Sequence, residues 1–323
     1  MNPTEAFLSG NISGLEEGQP KHVVTAISNI FVFPDKAYKI YKSDSQFFNE
    51  NFNDLSNKEN RFNFTRKDFD WNHRLSPEIY IELKGLAKQD DKLSLVDPDD
   101  SSEELVMIMN SIDMSNQVIK KLVDGKIGIE DCYEIGKQFG QRILSFSKPS
   151  VDVTAYKDFL SRYADMIAWV KSVKEIPQDE ADEYLAYVKE FIESHKEELD
   201  NTESMSLCFD VHADNAIYAD GKFLPIDTYA PKEAWLYGFK NINIYRVATD
   251  FYVFLGKKAF DEVIRGYEEV VLQKLPRDWD KFMIFYCELI MWPYQYMLAE
   301  KEPWRINIAD KHHQFLQSTV SQI

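Results

Sequence analysis

The residues best suited to chemistry lie together between positions 205 and 227. The sequence there runs Met205-Ser206-Leu207-Cys208-Phe209-Asp210-Val211-His212-Ala213-Asp214-Asn215 and, farther on, Pro225-Ile226-Asp227. Phosphoryl transfer needs a carboxylate that orients an attacking hydroxyl and takes up its proton, together with oxygen ligands for a metal ion. Mg²⁺ takes hard oxygen donors, commonly one or two carboxylates completed by substrate phosphates. An Asp, an Asn five residues later and a third acid beyond the next turn supply that set, with Asp210 as the base and Asn215 and Asp227 as metal ligands. The Asp-x4-Asn spacing alone arises by chance about once or twice in a chain of this size. Asp210, Asp214 and Asn215 are equally well accounted for as turn residues that bond their own backbone. Their setting is more specific. Three short apolar runs, 205–210, 215–220 and 222–227, flank them, and Asp220-Gly221 between the last two is a type I′ hairpin signal.

The elements that must hold this island follow from periodicity. Residues 21–42 are rich in β-branched and aromatic side chains and are interrupted by Pro34-Asp35, which predicts two strands and a tight turn. Helix is expected between Ser43 and Leu75, ending before Pro77. Residues 79–83 read as a strand, the acidic stretch 88–104 as a loop or hairpin tip, and the apolar run 105–109 as a buried strand. Residues 114–147, 153–173 and 179–200 place apolar side chains three and four apart, as helices do, and helix returns from Ile242 onward. The expected division is a strand-rich part, 1–109, and a helical part, 110–323, that carries the hairpin.

Composition narrows the function classes. The 323 residues carry 37 Lys and Arg against 54 Asp and Glu, a formal charge of −17 that disfavours phosphate backbones and anionic lipid. No nucleic-acid or membrane partner is therefore expected. The apolar runs are too short to span a bilayer, the N-terminus lacks the form of a signal peptide, and three cysteines far apart match no metal spacing or disulfide framework. A cytoplasmic location is expected. No G-x-S-x-G or H-E-x-x-H occurs, so hydrolase and metalloprotease chemistry have no support. His312-His313 cannot share one ion, because adjacent helical residues point about 100° apart.

Asp210, His212 and Asn215 match the His-Gly-Asp-x-His-x-x-Asn segment of the aminoglycoside-phosphotransferase-like branch of the protein-kinase-like fold, and the island resembles that segment. The run AYKIYK resembles the branch's lysine-bearing strand, and NHRLSPEIYIEL (72–83), TAIS (25–28) and residues 245–269 resemble an uncharacterised bacterial group within it. The resemblance implies an α+β, two-lobed protein-kinase-like fold, with a small β-rich lobe and a larger helical one. It implies ATP and Mg²⁺ as cofactors and a small-molecule hydroxyl as acceptor, of unidentified kind. Lys39 falls where the family's lysine holds nucleotide phosphates, and Asp68, with Glu50 as the alternative, where its helix acid pairs that lysine. The backbone near Met107 to Met109 falls where adenine is met. Asp250 resembles an acid that braces the catalytic loop, and His212 a residue that orders it. The departures are Cys208 and Phe209 in place of His-Gly, Asp68 in place of Glu, and a turn at Ser28-Asn29 without a Gly-rich loop. These leave a nucleotide- or protein-binding module without transfer as the alternative.

Overall fold

A computed structural model describes residues 2–146, 153–201, 206–239, 242–272 and 277–320. The chain forms two compact units: one takes residues 1–116 and 224–233, the other 117–223 and 234–323.

The first unit opens with helix α1 (Pro3–Ser9), capped by the Asn2 side chain and stopped at Gly10, whose φ is 70°. Strands β1 (Ile12–Ser13), β2 (Lys21–Val24), β3 (Ser28–Val32) and β4 (Lys36–Tyr41) follow, then helices α2 (Gln46–Asn51) and α3 (Lys58–Leu75). Strands β5 (Tyr80–Gln89), β6 (Lys92–Val96) and β7 (Glu104–Asn110) complete a seven-stranded sheet in the order β1-β6-β5-β7-β4-β3-β2. All its pairings are antiparallel except β1 with β6. The two strands expected over 21–42 are three. The additional turn falls at Thr25–Ile27, not at Ser28-Asn29, which lie in β3. No Gly or Pro marks it; the Thr25 hydroxyl accepts from the amides of Ile27 (3.2 Å) and Ser28 (2.9 Å), an ST-type turn with a faint sequence signal. The acidic stretch 88–104 contains a hairpin tip, with Asp90 at φ 55°, but also all of β6, which pairs with β5.

Period-two alternation sends neighbouring residues of β4 to opposite faces. Tyr38 and Ile40 join Phe7, Phe31, Val106 and Ile108 in one core, whereas Tyr41 packs with Met107, Phe48, Leu55 and Phe64 in the other. Lys39 therefore stands on the face that α3 covers. Helix α3 starts at Asn57, whose side chain accepts from the amides of Glu59 and Asn60, and it buries Arg61, Thr65, Asp68, Asn72 and Leu75 along one stripe.

The second unit contains α4 (Val118–Val123), α5 (Ile129–Ile143), α6 (Ala155–Ser172), α7 (Gln178–Ser194) and α8 (Lys196–Asp200). Short strands β8 (Ser206–Leu207), β9 (Ala216–Ala219), β10 (Lys222–Pro225) and β11 (Tyr237–Gly238) come next, followed by α9 (Ile242–Leu255), α10 (Lys257–Val271), α11 (Asp280–Ala299) and α12 (Ile306–Val320). β10 ends in the stretch that returns to the first unit. The β9–β10 turn has Asp220 and Gly221 at φ 52° and 71°, as the sequence predicts. Helices α5 and α10 cross at unusually close range. A Cβ on Gly136 would lie 1.9 Å from the Val263 carbonyl oxygen, and one on Gly266 1.9 Å from that of Tyr133. Reciprocal glycines let the two backbones touch.

Candidate active site

In the first unit, Lys39 is the centre of a buried charge cluster. Its Nζ donates to Asp227 Oδ1 at 2.6 Å and lies 3.9 Å from Asp68 Oδ2. The Tyr41 hydroxyl donates to Asp68 Oδ2 (2.7 Å) and the Asn72 amide to Asp68 Oδ1 (2.8 Å). Asn72 in turn accepts from the Thr228 amide and hydroxyl at 2.9 and 3.0 Å, and the Ser76 hydroxyl donates to the Pro225 carbonyl at 2.6 Å. The Tyr80 hydroxyl accepts from the Asp227 amide at 2.9 Å and reaches Asp227 Oδ1 at 3.3 Å. Thus α3 and β5 clamp the returning stretch and fix Asp227 at a left-handed φ of 50°, a conformation that Asp tolerates better than most side chains.

The electrostatics follow from burial and pairing. Burial pushes the Asp68 carboxyl up to about 6 against the pull of Lys39. Burial also opposes the Lys39 charge, but Asp227 and Asp68 override it and raise the amine above its ordinary value. Asp227 feels the same opposition and is held below the usual carboxylate range by Lys39, although its side chain is 49% exposed, so solvent screens much of that pull. Glu50, the alternative partner, instead accepts from Gln46 on an exposed turn of α2. Met107 pairs with Lys39 on one side and Leu83 on the other, and Met109 with Ala37 and Tyr80. Their backbone groups belong to the ladder, and the chain first leaves it beyond Ser111, whose amide donates to the Asp35 carbonyl.

In the second unit, the segment around Asp210 is tied down almost residue by residue. The Phe209 amide donates to Asn243 Oδ1 (2.9 Å), whose own amide donates to the Leu207 carbonyl (2.7 Å), and the Cys208 amide donates to the Leu236 carbonyl (2.7 Å). The Ala213 amide donates to Asp250 Oδ2 at 2.6 Å, so Asp250 braces the loop. Asn215 Nδ2 donates to the Asp210 carbonyl at 2.9 Å, which ties the two ends of the Asp-x4-Asn segment together. Buried His212 packs edge-on against Tyr294, and burial lowers its pKa. Cys208 stands beside Arg162, which also donates to the Trp235 and Tyr237 carbonyls; burial pushes the Cys208 thiol up to about 11, so it is a neutral packing group. Asp214 is ion-paired with Arg305, whose Nη1 lies 2.7 Å from Oδ1, and Gln295 donates to Oδ2 at 3.0 Å. Asp210 itself is paired with Arg246 at 3.0 Å.

Asp68 and Asn72 share a buried stripe of α3. Tyr41, Thr228, Arg246 and Arg305 escape sequence reasoning because each meets a partner across a long stretch of chain.

Asp250 gives a pH signature. Burial pushes its carboxyl up to about 7, with His312 opposing and Glu288 and Asp214 reinforcing the shift. His312, bonded to Glu288 Oε2 at 2.6 Å, is disfavoured as a cation by burial but raised on balance by that carboxylate. In both cases the folded state holds a proton that the unfolded chain gives up sooner. The stability they contribute is therefore present at low pH and is lost as pH rises through the folded values. Asp250→Asn, which keeps an acceptor for the Ala213 amide, should flatten the fall in melting temperature between about pH 4 and pH 7. An unchanged slope in thermal unfolding across that range would remove Asp250 as its source.

The seven-stranded sheet of the first unit and the mostly helical second unit have the protein-kinase-like fold. The likeness extends over nearly all of the described chain. A choline/ethanolamine kinase family protein from Mesorhizobium loti aligns with a TM-score of 0.52 at 12% identity, covering 95% of this chain and 89% of its own. A choline kinase from Cryptosporidium parvum aligns at 0.50 and 12%, covering 99% and 94%. A glucosamine kinase, solved in complex with glucosamine, ADP and inorganic phosphate, aligns at 0.50 and 11%, covering 94% and 77%. Compared by sequence, the chain matches no family model and no curated protein. Among the described residues, no helix is long and apolar enough to cross a membrane.

Proposed function

We propose that the protein is an ATP-dependent phosphotransferase that acts on a hydroxyl of a small molecule. The observation that carries this reading is the Lys39–Asp227–Asp68 cluster: a buried ammonium held between two carboxylates, one of them half-exposed. In this reading Lys39 holds the nucleotide α- and β-phosphates, with Asp68 and Tyr41 fixing its position. The adenine meets backbone just past β7, near Ile112 and Asp113. The acceptor oxygen attacks the γ-phosphorus, the bond to the ADP oxygen breaks, and the hydroxyl proton passes to Asp210 and then to solvent.

The chemistry of the donors fits Mg²⁺. Asp227 in the first unit offers a carboxylate and Asn215 in the second an amide oxygen, each a hard donor of the kind Mg²⁺ takes alongside phosphates. Among the described residues no group of three His, Cys, Asp or Glu is gathered for a metal, and Mg²⁺ commonly uses only one or two carboxylates. Bound there, Mg²⁺ would neutralise phosphate charge. Charge stabilisation and positioning account for most of the catalysis expected. A second reading, nucleotide binding without transfer, draws on the Arg246 ion pair that already engages Asp210.

One experiment separates the two. Thermal unfolding should show stabilisation by ATP with Mg²⁺ in both wild type and Asp210→Asn, while ADP release with an accepted alcohol should fall about 100-fold or more in the variant. Stabilisation without ADP release from wild type on any alcohol establishes the second reading. No stabilisation in either protein sinks both.

A further inference from the structure

Three arginines sink into the chain to an extent similar to Arg246, and they show how this protein satisfies such a group. Arg61, Arg162 and Arg305 have side chains 10, 15 and 5% exposed. Each engages at least two of its three nitrogens: Arg61 bonds Glu104 and the Leu55 carbonyl, Arg162 bonds Asp158 and two carbonyls, and Arg305 bonds Asp214, Gln295 and Glu302. Arg246, 17% exposed, departs from the pattern. Only its Nη2 is engaged, by Asp210 Oδ1 at 3.0 Å and the Met291 sulfur at 3.9 Å. Among the described residues, Nε and Nη1 bond nothing. Neither atom is closed off from water, so an oxyanion of a ligand can replace solvent as their acceptor.

The position says what that acceptor is. Arg246 is in contact with Asp210, the carboxylate that orients the acceptor hydroxyl in the phosphotransferase reading on which this inference rests. An arginine fork recognises carboxylate or phosphate oxygens in pairs, a geometry no lysine reproduces. We propose that Arg246 is the acceptor-recognising residue and that the acceptor carries an oxyanion, carboxylate or phosphate, close to the hydroxyl that is phosphorylated. The ion pair with Asp210 sets the guanidinium's orientation and keeps the pair neutral until the oxyanion arrives. A cationic alcohol finds a like charge there instead.

The test is an acceptor panel with wild type, Arg246→Met and Arg246→Lys, in the presence of ATP and Mg²⁺. Gluconate and glycerate represent carboxylates, glycerol 3-phosphate represents phosphates, and choline and glucosamine represent cations. ADP release is expected with at least one oxyanion-bearing alcohol, and the responding arm tells carboxylate from phosphate. For that acceptor kcat/KM should fall about 10- to 100-fold in Arg246→Met, mostly through KM, with partial recovery in Arg246→Lys. Thermal stabilisation by ATP with Mg²⁺ should be the same in all three proteins. Turnover confined to choline or glucosamine overturns the proposal, as does silence with every oxyanion acceptor while the nucleotide still stabilises. An equal fall for all acceptors assigns Arg246 to the transferring phosphoryl group and overturns it too. Loss of nucleotide stabilisation in wild type overturns the phosphotransferase reading, and this proposal with it.

Discussion

Lys39→Met should abolish stabilisation by ATP with Mg²⁺ and lower phosphoryl transfer by about 100- to 1000-fold. At a hundredfold excess of nucleotide over Kd, wild type should gain roughly 2.7 kcal/mol, so the loss is readily seen in thermal unfolding. The substitution keeps the length and apolar stem of the side chain in β4, which lies between Tyr38 and Ile40 on a paired strand. What it removes is the charge 2.6 Å from Asp227 and 3.9 Å from Asp68. Asp68, pushed up to about 6 by burial even with Lys39 present, should then rise further. The unliganded variant should consequently be more stable near pH 5 than near pH 7, because its folded state holds a proton at Asp68 that ionisation takes away. A Lys39→Met protein with full nucleotide stabilisation would exclude Lys39 from the phosphate site.

Arg305→Met should cost about 3–5 kcal/mol of folding stability, the usual penalty for leaving one partner of a buried pair alone. Asp214 is 4% exposed, and its carboxylate is answered by Arg305 at 2.7 Å and Gln295 at 3.0 Å. Arg305 also donates to Gln295 Oε1 at 2.9 Å, closing a ring of three side chains behind the segment that carries Asp210 and Asn215. Chemical denaturation of the variant measures the loss. The double variant Arg305→Met, Asp214→Asn should recover a substantial part of it, because the uncompensated charge is gone. No recovery would mean that Arg305 acts through packing against Trp304 instead.

The particular elements explain what could be read from sequence. Helix α3 is legible chiefly at its end, before Pro77, because Phe62, Phe69 and Leu75 recur at irregular spacing. Asp68 is reached through the family resemblance alone, because an acid on a helix is ordinarily solvated, and only the folded chain shows it buried. The Asp220-Gly221 turn needs left-handed backbone at both positions, and its two residue types supply it. The turn at Thr25–Ile27 is hidden because a hydroxyl, not a glycine, makes it. The long-range partners are hidden for another reason. Nothing local in Arg246 or Arg305 distinguishes it from a solvated helix arginine, and only the folded chain brings Asp210 or Asp214 to it.

The first unit is not continuous in sequence: residues 224–233 return to it long after residue 116. During synthesis, then, Lys39 and Asn72 are made and must wait for Asp227 and Thr228. At ordinary elongation rates that wait is on the order of ten seconds. Over that interval the nascent sheet carries a lysine whose closest carboxylate does not yet exist, and an Asn72 carbonyl with no Thr228 to cap. The buried charge cluster is thus a late event in the life of the chain, completed only after residues 117–223 of the second unit have been made.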